Sequence, residues 1–113
     1  MKDLLEKLIT NITNVLGFGL RESIYQNALA IELRKLKHKV DLEVNKSVMY
    51  YDHEVGNVRL DMLIDDSIII EMKSITKLTE KERIQIRNYK RITKLENGYL
   101  INVGLKSFEV EVT

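Results

Sequence analysis

The stretch RLDMLIDDSIIIEMKS, Arg59–Ser74, decides the fold predicted for this chain. Its apolar residues form two short runs on either side of Asp-Asp-Ser, which is the pattern of a β-hairpin closed by a polar turn. Three charged residues interrupt the apolar runs: Asp61, Glu71 and Lys73. Because burial of a charge is costly unless the charge is compensated, these residues need a structural or a chemical explanation.

The register of the hairpin is expected to bring the two acids together. With a three-residue turn, Ile64 pairs with Ile68, and Asp61 then falls opposite Glu71. Side chains alternate between the faces of a strand, so Lys73 shares a face with Glu71. The same alternation along the first strand predicts two sets of side chains, Val58, Leu60, Met62 and Ile64 on one face and Arg59, Asp61 and Leu63 on the other.

Two carboxylates that lie opposite each other on a sheet repel, and in a shared low-dielectric site one of them protonates unless a cation intervenes. Lys73 can supply part of the compensating charge, and a divalent cation can supply more. Mg²⁺ suits such a place because it needs oxygen ligands from one or two carboxylates and keeps waters and phosphate oxygens for the rest. The simpler explanation is that the three charged residues form the solvated face of a hairpin.

The rest of the chain predicts an α+β or α/β sandwich with a mixed sheet. In the first half of the chain, the apolar spacing and turn signals predict a helix over 4–16, a break at Gly17–Gly19, a helix over 20–37, a strand over 40–51 and a turn at Asp52–Asn57. The hairpin strands then span 58–65 and 68–73. A helix that starts with the capping box Thr79–Glu82 and ends before Glu96–Gly98 follows, and strands over 99–103 and 107–112 come last.

The composition predicts one globular domain over residues 1–113, with 44% hydrophobic and 31% charged residues. A net charge of +1 gives no overall attraction to nucleic acid, so any phosphate-binding surface must be local. The chain has no cysteine, and no apolar run is long enough for a signal peptide or a membrane span. We therefore expect a cytoplasmic or nuclear protein with no membrane association.

Two polar residues on helices are expected to face the same region as the hairpin acids. A projection at about 3.6 residues per turn places Glu22 between Leu29 and Leu33, on an apolar stripe of the second helix. It places Gln85 beside Tyr89 on the apolar side of the later helix. Glu22 alone is explained by the free amides of a first helical turn, and Gln85 alone by a hydrogen bond in the core. Together with the two hairpin acids, they predict one shared site.

These residues resemble a known family. GLRESIY (Gly19–Tyr25) resembles the signature of the GxxExxY proteins, a group within the PD-(D/E)XK nuclease superfamily. Asp61 followed by the E-x-K of Glu71–Lys73 resembles the core motif of that superfamily. QIRNY (Gln85–Tyr89) is similar to the group's Q-x-x-x-Y helix, and NGYLINVG (Asn97–Gly104) is similar to its closing strand.

The resemblance covers roughly residues 16–108 and departs from the family pattern at two positions. Leu60 stands where the superfamily name has Pro, and Phe18 stands where the group usually has Pro. The resemblance implies a restriction-endonuclease-like α-β-β-β-α-β core, with a central mixed sheet flanked by helices, and metal-dependent hydrolysis of phosphodiester bonds.

The resemblance also implies roles for five residues. Asp61 and Glu71 would be ligands of Mg²⁺ or Mn²⁺, and Lys73 would orient the attacking water or neutralise developing charge. Glu22 and Gln85 would support the metal and the water. The resulting expectation is a nuclease that acts on DNA.

A basic face on the later helix is the candidate nucleic-acid contact. It consists of four residues, Arg83, Arg87, Lys90 and Arg91, on the side opposite Gln85. Such a face is also typical of ordinary solvated helices. The alternative to the nuclease is a module of the same fold that binds nucleic acid or a protein and has little or no catalysis. Because little sequence follows the last strand, we expect a homodimer or a partner protein to complete the substrate site.

Overall fold

The computed structural model describes residues 1–113, which form three helices and five strands. The elements in chain order are α1 (Lys2–Leu16), α2 (Glu22–Lys35), β1 (Val40–Tyr50), β2 (His53–Ile64), β3 (Ile68–Lys73), α3 (Glu80–Thr93), β4 (Asn97–Val103) and β5 (Phe108–Val112). None of the helices is long and apolar enough to cross a membrane.

The strands form one mixed sheet in the order β1-β2-β3-β4-β5. Neighbouring strands are antiparallel except for β3 and β4, which are parallel. Parallel neighbours need a crossover, and α3 is the helix of that crossover. The predicted mixed sheet is confirmed.

The helices cover the two faces of the sheet. Side chains of α1 and α2 pack on one face, in a core that includes Leu5, Leu29 and Met62. Side chains of α3 pack on the other face, in a smaller core that includes Leu63 and Ile86. The arrangement is a layered α+β fold in which α3 alone covers the second face.

Two local predictions are confirmed. Ile64 pairs with Ile68 across the hairpin between β2 and β3, and the turn residues Asp65 and Asp66 both have positive φ. Asp tolerates this left-handed conformation better than most residues. Thr79 caps α3, with the reciprocal hydrogen bonds to Glu82 that define a capping box.

The turn predicted at Asp52–Asn57 is wrong, because β2 begins at His53. The connection is two residues long and uses Tyr51 at a φ of 52°. The polar residues beyond it belong to a strand with an irregularity, where the pairing shifts between Val48 opposite Gly56 and Met49 opposite Glu54. Glycine is common next to such a bulge, which explains the misleading turn signal.

The second helix is shorter than the predicted 20–37. It begins after Gly19, whose φ of 84° suits a residue without a Cβ atom. It ends at Lys35, and Lys37 then adopts a φ of 71°. The start is limited by Arg21, which is extended, and continuation beyond Leu36 is prevented by the left-handed conformation of Lys37.

The face predicted for Leu60 is wrong. Leu60 packs beneath α3 with Leu63, whereas Met62 packs beneath α1 and α2. The change of face occurs at Asp61, and on the neighbouring strand Glu43 has a φ of 53°. Glu43 and Asp61 are absent from the ladder of β1 and β2, although the residues on either side of them are paired. A paired irregularity therefore reverses the alternation at the residue that carries the first candidate ligand.

Candidate active site

Asp61 forms hydrogen bonds to β3 through both its backbone N–H and its carboxylate. The ladder between β2 and β3 stops at Met62 opposite Ile70, one residue before Asp61. Beyond that point, the Met72 N–H donates to Asp61 Oδ2 at 2.9 Å, and the Asp61 N–H donates to Glu71 Oε1 at 3.4 Å. Carboxylates thus replace carbonyls as the acceptors between the strands. This exchange fixes the two acids against each other.

Glu71 is buried in this arrangement, with 2% of its surface exposed. Burial, followed by the hydrogen bond and the repulsion from the Asp61 carboxylate, raises the pKa of Glu71 to about 9. Glu71 therefore keeps its proton at neutral pH when no cation is bound. Lys73 opposes the shift, and its charge is not enough to reverse it.

Lys73 is held in place by α3. Its Nζ donates to Gln85 Oε1 at 2.8 Å, and Gln85 Nε2 donates to the Tyr89 hydroxyl at 3.1 Å. Gln85 and Tyr89 lie four residues apart, so the capping box that starts α3 at Glu80 also sets their place over β3. Burial and the charge of Glu71 raise the pKa of Tyr89.

Glu22 is the first residue of α2, and its side chain is exposed rather than buried as expected. The loop before it is closed by Tyr25, whose hydroxyl donates to the Gly17 carbonyl at 2.8 Å and accepts from the Leu20 N–H at 3.1 Å. The Ser74 hydroxyl donates to the Leu20 carbonyl at 2.8 Å. These bonds dock the start of α2 on the end of β3, beside Lys73.

Three of the candidate residues line one cavity of about 340 Å³. The cavity wall consists of Glu22, Lys73, Ile75, Lys81, Glu82 and Gln85. Asp61 and Glu71 do not line it. The structure therefore places the candidate residues in two linked groups, the acid pair between the strands and the polar cavity at the end of β3.

One residue of the site was missed from the sequence. Gln26 is 7% exposed, and its Nε2 donates to the Asp61 carbonyl at 3.3 Å. It lies four residues after Glu22, on the same side of α2, and that spacing was the available signal. Gln26 takes up the carbonyl that the irregular strand leaves outside the ladder, so it positions Asp61.

Three of the four residues on the predicted basic face are bonded within the chain. Arg83 forms an ion pair with Glu111 at 2.6 Å, and this contact raises the pKa of Arg83. The other contacts are Arg87 to Glu80 at 3.3 Å and Lys90 Nζ to the Thr113 carbonyl at 2.7 Å. Arg91 is exposed and has no such partner, and it lines a cavity together with Gln85 instead of lying opposite that residue as predicted. The proposed contact of this face with nucleic acid stays a prediction.

The donor atoms fit a divalent cation held by few protein ligands. No group of three or more His, Cys, Asp or Glu side chains is arranged to hold a metal. Asp61 and Glu71 nevertheless supply adjacent carboxylates whose mutual repulsion a cation would relieve. Mg²⁺ accepts one or two carboxylates with waters and phosphate oxygens as its other ligands, so the pair meets this requirement.

Comparison with solved structures gives the fold independently. The crystal structure of SSO0001 superposes with a TM-score of 0.64 and 19% sequence identity, over 98% of this chain. The chain spans 55% of the length of that protein. No curated protein sequence matches the chain.

The sequence model of the PD-(D/E)XK nuclease superfamily matches residues 1–113. The match includes the two strands that carry Asp61 and Glu71 and the helix that holds Lys73. Proteins of this superfamily are generally nucleases, and they typically use divalent metals. By this match over its whole length, the chain belongs to the PD-(D/E)XK nuclease superfamily.

Proposed function

We propose that the chain is a divalent-metal-dependent nuclease that hydrolyses phosphodiester bonds in DNA, with Mg²⁺ or Mn²⁺ as the cofactor. The observation that supports this most is the adjacent pair of half-buried Asp61 and buried Glu71, close in the chain to Lys73, which lines a polar cavity. A buried acid held against a second carboxylate costs stability, and cation binding is a function that offsets this cost.

Each polar group has a definite task in this proposal. When bound, the cation would lower the pKa of a water and stabilise negative charge on the phosphate. Asp61 and Glu71 would hold it, with Glu71 losing its proton on binding. Lys73 would orient the attacking water or neutralise charge on the phosphate oxygens. Gln85 would keep the Lys73 ammonium in place, and Glu22 would accept a hydrogen bond from water in the cavity.

A second candidate function is supported by the small number of metal-ligating side chains that the fold brings together. With no third acidic side chain at the pair and with Glu71 2% exposed, the same fold suits a module that binds nucleic acid or a protein with little catalysis. In either case we propose that residues 1–113 act as one domain and that a second copy or a partner protein completes the substrate surface.

The deciding experiment is incubation of the purified protein with single-stranded, duplex and branched DNA and RNA, in Mg²⁺, Mn²⁺ or EDTA. Cleavage of DNA that requires the metal and is lost in Lys73→Ala is the expected result. Cleavage of RNA alone would correct the substrate. If no substrate is cleaved with either metal, the result would favour the binding module.

A further inference from the structure

A second cavity adjoins the polar cavity of the candidate active site. Its volume is about 410 Å³, and it lies between the outer side of α3 and Val58 of β2. Lys81 and Gln85 line both cavities, so the two cavities are direct neighbours. We call the second cavity the α3 groove. It extends from the candidate active site toward Arg91, which lines its wall.

The cations of α3 divide according to their position relative to this groove. Arg83, Arg87 and Lys90, which do not line it, are bonded to groups of the chain. Lys81 and Arg91 line it, are exposed, and have no carboxylate within ion-pair distance. No acidic residue lines the α3 groove. The lining of the α3 groove therefore carries a net positive charge, which favours an anionic ligand, and the nearby acids Glu22 and Glu82 lie in the wall of the neighbouring cavity.

The same groove also offers apolar surface. Ile84 is 50% exposed there, and the ring of Tyr89 and the side chain of Asn88 complete the wall beside it. Phosphate groups gain nothing from such surface, whereas the faces of unpaired bases do, because every base can pack on aromatic or aliphatic side chains. In a duplex these faces are covered by base stacking. The combination of free cations with exposed apolar side chains favours a single strand.

We propose that the α3 groove binds single-stranded nucleic acid next to the phosphate that is cut. Lys81 and Arg91 contact phosphates, Ile84 and Tyr89 contact bases, and Asn88 hydrogen-bonds to base edges. The volume of about 410 Å³ lies in the range of small-ligand pockets, roughly 300–1,000 Å³, which suits a short stretch of single strand rather than one side of a double helix. The part of this inference that places the strand next to the cut phosphate rests on the proposed function, since Gln85 lines both the α3 groove and the candidate active site.

The test measures binding in EDTA, where no cleavage takes place. The probes are fluorescein-labelled oligothymidylate and oligouridylate of about 15 nucleotides, with an unlabelled duplex of the same length as competitor. We expect Lys81→Ala and Arg91→Ala each to raise the dissociation constant at least about threefold and to reduce the salt slope by about 0.7. We expect Ile84→Ser to weaken binding about threefold with the salt slope unchanged.

The matched control is Lys7→Ala, an exposed lysine on α1, which covers the opposite face of the sheet. It should leave both the affinity and the salt slope unchanged. The proposal is overturned if the wild type binds neither oligonucleotide, if Lys7→Ala weakens binding as much as Lys81→Ala, or if the duplex competes as well as the single strand. Binding of oligothymidylate, oligouridylate or both through these residues supports it.

The failure of this inference is distinguishable from the failure of the proposed function. If the wild type binds single strands through the groove and cleaves nothing, the nuclease proposal fails and the groove proposal stands. If the wild type cleaves DNA and the Lys81→Ala, Arg91→Ala double variant has an unchanged KM and kcat, the groove proposal fails and the nuclease proposal stands. Within the groove proposal, the double variant raises KM more than it lowers kcat.

Discussion

The ammonium of Lys73, at the end of β3, is bonded to the side-chain oxygen of Gln85 on α3 at 2.8 Å. Lys73 lies two residues after Glu71, so this bond ties the helix to the strand that carries the buried acid. In the proposed nuclease the bond holds a positive charge where a phosphate would arrive. In an inactive module it would be an ordinary bond between a helix and a strand.

Replacement of Lys73 separates these two possibilities. We expect Lys73→Ala to reduce the rate of DNA cleavage by at least about a hundredfold, the scale for loss of one preorganised electrostatic group. Mn²⁺ binding should survive, because Lys73 is not a ligand. The measurement is the single-turnover cleavage rate, with exposed Lys77→Ala as the control. Cleavage by Lys73→Ala at the wild-type rate would refute the catalytic role.

Metal binding by the acid pair is expected to stabilise the fold. Saturating Mn²⁺ should raise the melting temperature of the wild type by mass action. Asp61→Asn should abolish the rise. The side-chain oxygen of the new asparagine can still accept the hydrogen bond from the Met72 N–H, so the local structure is kept. The control is exposed Asp52→Asn, which should keep the full rise. An equal rise in Asp61→Asn and the wild type would exclude Asp61 as a ligand.

The raised pKa of Glu71 predicts a pH dependence of stability in the metal-free protein. The folded protein keeps the Glu71 proton up to about pH 9, whereas the unfolded chain loses it near the ordinary value of 4.5. Unfolding therefore releases a proton between these values. The stability that this proton gives is complete below about pH 4.5 and is lost as the pH rises through 9.

The expected slope of the free energy of unfolding is up to about 1.4 kcal/mol per pH unit in that window. Urea unfolding in EDTA, from acidic to alkaline pH, measures it. Glu71→Gln removes the titrating group, so its stability should vary less with pH. A wild-type profile that is flat or rises between pH 5 and 8 would contradict the buried, protonated state of Glu71.

Glu22 is expected to affect activity more than stability. Glu22→Gln keeps the shape of an exposed side chain and removes its charge, so the free energy of unfolding should change by less than about 0.5 kcal/mol. Loss of a charged group from the cavity should lower the cleavage rate about tenfold or more. Glu32→Gln, near the other end of α2, is the control. A stability loss with unchanged cleavage would instead assign Glu22 to the stabilisation of the helix start.

Gln26 is expected to act through Asp61. Gln26→Leu leaves the Asp61 carbonyl without its side-chain donor, which should cost about 1–3 kcal/mol of stability. Because the bond positions Asp61, the variant should also bind Mn²⁺ more weakly in a titration followed by calorimetry. Exposed Asn27→Ala is the control on the same helix. Destabilisation with unchanged Mn²⁺ affinity would leave Gln26 a purely structural role.

The sequence by itself determined the local features of the hairpin and of α3. The turn residues Asp65 and Asp66 suit positive φ, so the pairing of Ile64 with Ile68 followed from the hairpin pattern. The capping box at Thr79 set the start of α3 and thereby the place of Gln85. These features depend on residues close together in the chain, and short-range sterics and hydrogen bonds decide them.

The tertiary structure alone decided the environment of each charged group. The change of face at Asp61 coincides with an irregularity at Glu43 of the neighbouring strand, and the strand alternation of the sequence gives no sign of it. The basic face likewise showed no partner in the local sequence, because the ion pair of Arg83 is with Glu111 on the distant strand β5.

The acid pair shows the same division. Its juxtaposition followed from the hairpin register, but the burial that raises the pKa of Glu71 and the bond from Gln26 to Asp61 required the packed helices. Desolvation and charge pairing depend on which distant residues fold over a group, so they belong to the three-dimensional arrangement and not to the spacing along the chain.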